Sequence, residues 1–154
     1  MDPRVERLKT PQECEAFIQN ALARGHEDLA RDARRRAVQL RADAYGPKSP
    51  LERQCIEAIY AYEEALCARN GRRVSASKTW QDVRKLGPFT AVDKAVSRAG
   101  DESIHALLVQ LGLEQFAFED VVVAHPDEFG FEAVQQSRSR VAKRNGDGNP
   151  YKAA

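Results

Sequence analysis

The sequence predicts an all-α protein, a compact bundle of seven or eight short-to-medium helices. Three observations carry that prediction. Apolar residues recur at helical spacing in nearly every segment, glycines and prolines fall between those segments, and no strand-turn-strand pattern competes. A length of 154 residues fits a single domain. It is expected to run over residues 1–144, with 145–154 as a flexible tail.

The elements follow in order. Over 11–24, Cys14, Phe17, Ile18, Ala21 and Leu22 lie on one helical face, with Thr10 as N-cap and Gly25 as stop. Over 27–45 the stripe is Leu29, Ala33, Ala37, Leu40 and Ala44, small enough to admit a close neighbour. These two segments form a hairpin over 11–45. Residues 50–69 form a long helix, started by Ser49-Pro50 and stopped by Asn70-Gly71. Its stripe is Leu51, Cys55, Ile59, Tyr62 and Leu66. A short helix pair spans 78–99, as 78–86 and 90–99, the second carrying Val92, Ala95 and Val96.

The C-terminal helices span 102–144. The first, 102–111, packs Ile104, Leu107, Leu108 and Leu111. Segment 114–124 carries consecutive valines that also suit a strand, but a lone strand would have no partner, so a helix is expected. A last helix, 131–144, precedes Asn145-Gly146-Asp147-Gly148-Asn149-Pro150, which reads as tail.

The hairpin over 11–45 resembles a single tetratricopeptide-type hairpin in its length and in the Leu29/Ala33/Ala37 spacing. Such repeats bury their faces only by stacking, and no second copy follows at a period of about 34 residues. The segment is therefore read as an ordinary antiparallel pair.

Several classes are excluded. The longest apolar run, Val121-Val122-Val123-Ala124, is far short of the roughly 18–20 residues of a membrane helix, so no membrane association is expected. Residues 1–10 are charged and lack the apolar core of a secretory signal. Three cysteines, Cys14, Cys55 and Cys67, are an odd number without paired metal spacing, and are expected to be core residues in a reducing compartment. A cytoplasmic location follows, and the abundance of arginine and alanine suggests a high-GC bacterial source.

The net charge of +1 hides a segregated pattern. Residues 69–100 hold eight bases (Arg69, Arg72, Arg73, Lys78, Arg84, Lys85, Lys94, Arg98) against Asp82 and Asp93, net +6. Residues 101–132 hold eight acids and no Lys or Arg, net −8. Such asymmetry bears on partners rather than on fold.

The basic stretch offers the clearest candidate site. Arg69, Arg72 and Arg73 form a basic turn. Ser75 or Ser77 is then expected to cap a helix whose free amides and positive dipole end suit a phosphate. Lys78, Thr79, Arg84 and Lys85 add charge and a hydroxyl, and Trp80 is either a platform for a base or a core anchor. The pair of short helices joined at Gly87-Pro88-Phe89 resembles a helix-turn-helix. Its second helix offers only Thr90, Asp93, Lys94, Ser97 and Arg98, so phosphate contact is favoured over base readout.

The expected function is nucleic-acid binding, with DNA favoured, and further phosphate contacts from Arg138, Arg140, Lys143 and Arg144. The alternative is a protein-interaction or self-association module, pairing the acidic 101–132 surface with the basic 69–98 surface. The five arginines Arg31, Arg34, Arg35, Arg36 and Arg41 read as an exposed, salt-bridged face with Asp28, Asp32 and Asp43. His26 and His125 fall at helix ends, and His105 reads as a satisfied histidine on a helix face. No catalytic constellation, metal-ligand spacing or cofactor motif is legible, so the chain is not expected to be an enzyme.

Overall fold

A polar side chain that accepts from the first free amides marks where two of the longer helices begin. In a computed structural model, which describes residues 1–98 and 102–146, Thr10 Oγ1 accepts from the Glu13 amide at 3.1 Å. Ser49 Oγ accepts from the Glu52 amide at the same distance. The helices are α1 Pro3–Glu6, α2 Pro11–Ala23, α3 Glu27–Tyr45, α4 Pro50–Asn70 and α5 Ser77–Leu86. They continue as α6 Pro88–Arg98, α7 Glu102–Leu111, α8 Phe118–Ala124 and α9 Phe131–Gly146. Single 3-10 turns lie at Glu114–Phe116 and Pro126–Glu128, and no strand occurs among the described residues. The fold is all-α.

Helix α4 is the axis of the bundle, packed against α3, α6, α7 and α8. Two apolar clusters meet on it. One joins Ile56 and Ile59 to α5, α6, α8 and α9, and the other joins Ala61 and Ala65 to α7 and the Leu113–Ala117 segment. A third cluster ties α1 and α2 to the first half of α3 through Val5, Ile18, Ala30 and Ala33. None of the described helices is long and apolar enough to cross a membrane.

Five expectations change. Helix α1 was not foreseen, because its four residues hold one apolar side chain, Val5, which is fully buried only through contacts with distant helices. The stripe on α3 is rotated and broadened: Ala30, Ala33, Ala37, Val38 and Ala42 are buried, while Leu29 and Leu40 are half-buried and Ala44 is exposed. The helix packs against α2 on one side and α4 on another, so no single face serves. Helix α6 begins at Pro88, two residues earlier than expected, since proline suits the first helical position. Segment 114–124 divides into the 3-10 turn and α8, with Val121 and Val122 buried. Asn145 and Gly146 continue α9. The rest of the expected tail, and the expected end of α6 at Ala99, lie outside the described residues.

The arginines of α3 are half-buried clamps rather than an exposed face. Arg36 Nε donates to the Leu8 carbonyl at 3.1 Å and Arg35 Nε to the Gly112 carbonyl at 2.7 Å, while Arg35 also pairs with Asp32. Burial pulls the Arg34 guanidinium below its ordinary pKa. Gly112 has a φ of +78°, and a Cβ there would meet the Arg31 side chain at 2.8 Å, so this position requires glycine twice over. All three cysteines are buried and outside any disulfide, and burial pushes the Cys55 thiol up to about 12.

Candidate nucleic-acid interface

Helix α5 starts without the serine cap that the sequence suggested. Its N-cap is Ala76, and Ser77 is already the first helical residue. Glu63, on α4, takes the capping role from 13 residues away: its Oε2 accepts from the Ala76 amide at 2.8 Å and from Ser75 Oγ at 3.3 Å. The same oxygen accepts from Trp80 Nε1 at 2.9 Å. Trp80 is half-buried, its ring centroid 4.8 Å from that of Tyr60 and 6.3 Å from that of Tyr45. It therefore packs α5 onto α4 through both its ring and its indole N–H.

The far side of the α5 start opens into a cleft of about 400 Å³. Tyr62, Leu66 and Ala95 supply apolar wall, and Ser75, Ser77, Lys78, Thr79 and Arg98 supply polar lining. The first intrahelical bond of α5 runs from the Trp80 amide to the Ala76 carbonyl. The amides of Ser77, Lys78 and Thr79 therefore have no partner within the helix, and all three residues line the cleft.

Acids already hold part of this positive charge. Arg98 and Lys78 both reach Asp82, the lysine at 3.8 Å, and Asp82 is 4% exposed. Its hydrogen bond from Arg98 holds the carboxyl below the usual carboxylate range. Arg73 Nη1 lies 3.0 Å from Glu64, which also accepts from Arg41 at 2.8 Å. Arg69 lies in the last turn of α4, Arg72 is exposed in the turn that follows, and Arg84 and Lys85 are exposed at the other end of α5.

The ten expected site residues thus separate. Ser75, Ser77, Lys78 and Thr79 come together around the cleft; Trp80 faces the bundle; Arg73 is tied down; and Arg69, Arg72, Arg84 and Lys85 flank the site at a distance. Arg98 joins the cleft although its position in the sequence, 20 residues beyond Lys78, gave no local signal.

No family model, curated protein or solved structure matches this chain.

The resemblance to a helix-turn-helix weakens on geometry. Gly87 alone connects α5 to α6, where that motif uses a turn of about 3–4 residues. Asp93 accepts from the Gly130 amide at 2.7 Å, and Ser97 Oγ donates to the Asp93 carbonyl. Of the outward set on α6, Thr90 and Lys94 remain exposed and uncommitted among the described residues. The C-terminal bases are also partly engaged. Lys143 pairs with Glu102 at 3.1 Å and Arg144 with Glu119, Arg140 is half-buried, and Arg138 is exposed.

His105 departs from the satisfied histidine expected of it. Its Nδ1 is buried without a partner among the described residues. It walls a cavity of about 20 Å³, the size of one water, together with Tyr62, Phe118, Glu119 and Arg144. Burial, then Arg144, lowers its pKa. His125 holds Gln54 Oε1 at 3.1 Å, and no group of three or more metal-ligating side chains comes together among the described residues.

Proposed function

We propose that the chain binds the phosphate backbone of a nucleic acid, duplex DNA above all. The contact would centre on the cleft at the start of α5, with Arg69, Arg72, Arg84 and Lys85 as flanking cations. The observation that carries this reading is the meeting on one cleft of the first three residues of α5, whose amides have no partner within the helix, with Ser75 and Arg98, so that three hydroxyls and two cations line it together. Duplex is favoured over single strands because the one tryptophan is committed to Tyr60 and Glu63, which removes the aromatic platform that single-strand binding draws on. Sequence readout is not part of the proposal, since α6 presents too few free side chains for base edges.

The nearby carboxylates set the strength. A phosphate entering the cleft competes with Asp82 for Arg98 and Lys78, so the binding is weak and sequence-independent. Fluorescence anisotropy with duplex DNA, single-stranded DNA and RNA at two salt concentrations tests it. Duplex should bind most tightly, and changing Arg72, Arg73 and Lys78 together to Ala should weaken binding by the same factor for unrelated sequences. The slope of log K against log salt should flatten by roughly one to three units, since Arg73 and Lys78 start from partial neutralisation and a free contact contributes about 0.9. If wild type binds none of the probes at low salt, or the triple variant binds as wild type does, the proposal fails.

A further inference from the structure

Two large apolar side chains stand out at the surface where the α5–α6 connection meets the start of α9. Phe131 is 77% exposed and Leu86 is 48% exposed. Phe89, three residues after Leu86, is half-buried and edge-on at 6.5 Å to Phe129, which Gly130 separates from Phe131. Phe131 is not loosely held. The Gly130 amide donates to Asp93 Oδ2 at 2.7 Å, and a Cβ at Gly130 would lie 3.1 Å from that oxygen, so the α9 start is seated tightly on α6. An aromatic ring that faces water from a firmly seated backbone marks a contact surface.

The charges around this patch say what covers it. Exposed bases on the α5 and α6 side are Arg84, Lys85 and Lys94; exposed acids on the other side are Asp127, Glu128 and Glu132. None of the six enters an ion pair among the described residues. A uniformly acidic or uniformly basic partner would satisfy half of the set and repel the other half. A second copy turned through a two-fold axis satisfies both, because the basic edge of each copy then faces the acidic edge of its mate.

We infer that the chain forms a symmetric homodimer through the Leu86, Phe89 and Phe131 surface. Its apolar centre is small against the roughly 800 Å² per partner of a standard interface, so the dimer is weak, concentration-dependent and loosened by salt. The inference shares Arg84 and Lys85 with the proposed phosphate contact, but the test of that contact, at Arg72, Arg73 and Lys78, leaves the dimer surface intact, and Phe131→Asp leaves the phosphate site intact, so the two can fail separately.

Sedimentation velocity on the full chain, over a concentration series at low and high salt, reads the result directly. Wild type should pass from monomer to dimer, earlier at low salt. Phe131→Asp should raise the dissociation constant by at least about tenfold, the effect of losing a central aromatic anchor, with the circular dichroism unchanged. Two charge variants test the two-fold arrangement. Arg84→Glu with Lys85→Glu, and Glu128→Lys with Glu132→Lys, should each self-associate less than wild type, and an equimolar mixture should recover the dimer. A wild type that stays monomeric, a dimer indifferent to Phe131→Asp, growth beyond the dimer, or a mixture that does not recover would each overturn the inference.

Discussion

Two regions of this molecule are rich in arginine, and they use it in opposite ways. On α3 the guanidinium groups of Arg35 and Arg36 turn inward and donate to backbone carbonyls of other elements, Gly112 and Leu8. Over residues 69–98 the cations meet carboxylate side chains, Glu64 and Asp82, or face solvent. The first set holds the bundle together. The second leaves a rim of charge that a partner can take over. A run of like charge is thus ambiguous until both partners are known: a guanidinium that serves a part-buried carbonyl is held in place, whereas the exposed cations Arg73 and Lys78 can turn to another anion in solvent.

The largest expected effect lies inside the second region, at the one residue there that behaves like the first. Trp80→Ala removes the ring from Tyr60 and Tyr45 and takes a donor from Glu63. A loss of about 2–4 kcal/mol of stability is expected, the lower part of the range for truncating a large aromatic, because Trp80 is only half-buried. Urea denaturation measures it. A loss below about 0.5 kcal/mol, the ordinary size of a surface substitution, would return Trp80 to the surface and restore it as a stacking platform.

The next effect sets the two arginine regions directly against each other. Arg36→Ala deprives the Leu8 carbonyl of its donor and exposes what the half-buried arginine stem covers, and should cost about 1–3 kcal/mol. Arg72→Ala, at an exposed turn position, should stay within about 0.5 kcal/mol. Equal costs for the two variants, in the same denaturation experiment, would erase the distinction drawn here.

Much of the fold was legible because it is written locally. Thr10 and Ser49 cap the helices that they precede, and Pro11 and Pro50 occupy the first helical turn. Gly46 and Gly71 end helices in the left-handed conformation, a choice made within a few residues of sequence. What escaped was decided at long range. Glu63 displaced the serines at the α5 start from across the bundle, and Val5 earned a helical turn only by reaching α3. The cleft was half visible: Ser75, Ser77, Lys78 and Thr79 are consecutive or nearly so, while Arg98 arrives on another helix. The acids that temper the site were split the same way, since Asp82 sits one turn from Lys78 but Glu64 lies in α4.

The last effect is the one that tells most about the cleft. Asp82 is held below the ordinary carboxylate range, first by its hydrogen bond from Arg98, so the native state favours its ionised form more than the unfolded chain does. Its contribution is therefore complete above the unfolded pKa, near 4, and is lost as pH falls through the lower native value. Denaturation midpoints of wild type and Asp82→Asn should differ at neutral pH and converge in strong acid, with a flatter acid limb for the variant. The same substitution releases Arg98 and Lys78 from their shared carboxylate. If the cleft takes phosphate, Asp82→Asn should bind duplex DNA more tightly than wild type at pH 7, and its salt slope should steepen by up to about two contacts. Tighter binding joined to slightly lower stability would mean that Asp82 restrains the site while holding α5 to α6. Unchanged binding would mean that Arg98 and Lys78 belong with the clamps of α3, as structural cations with no part in partner contact.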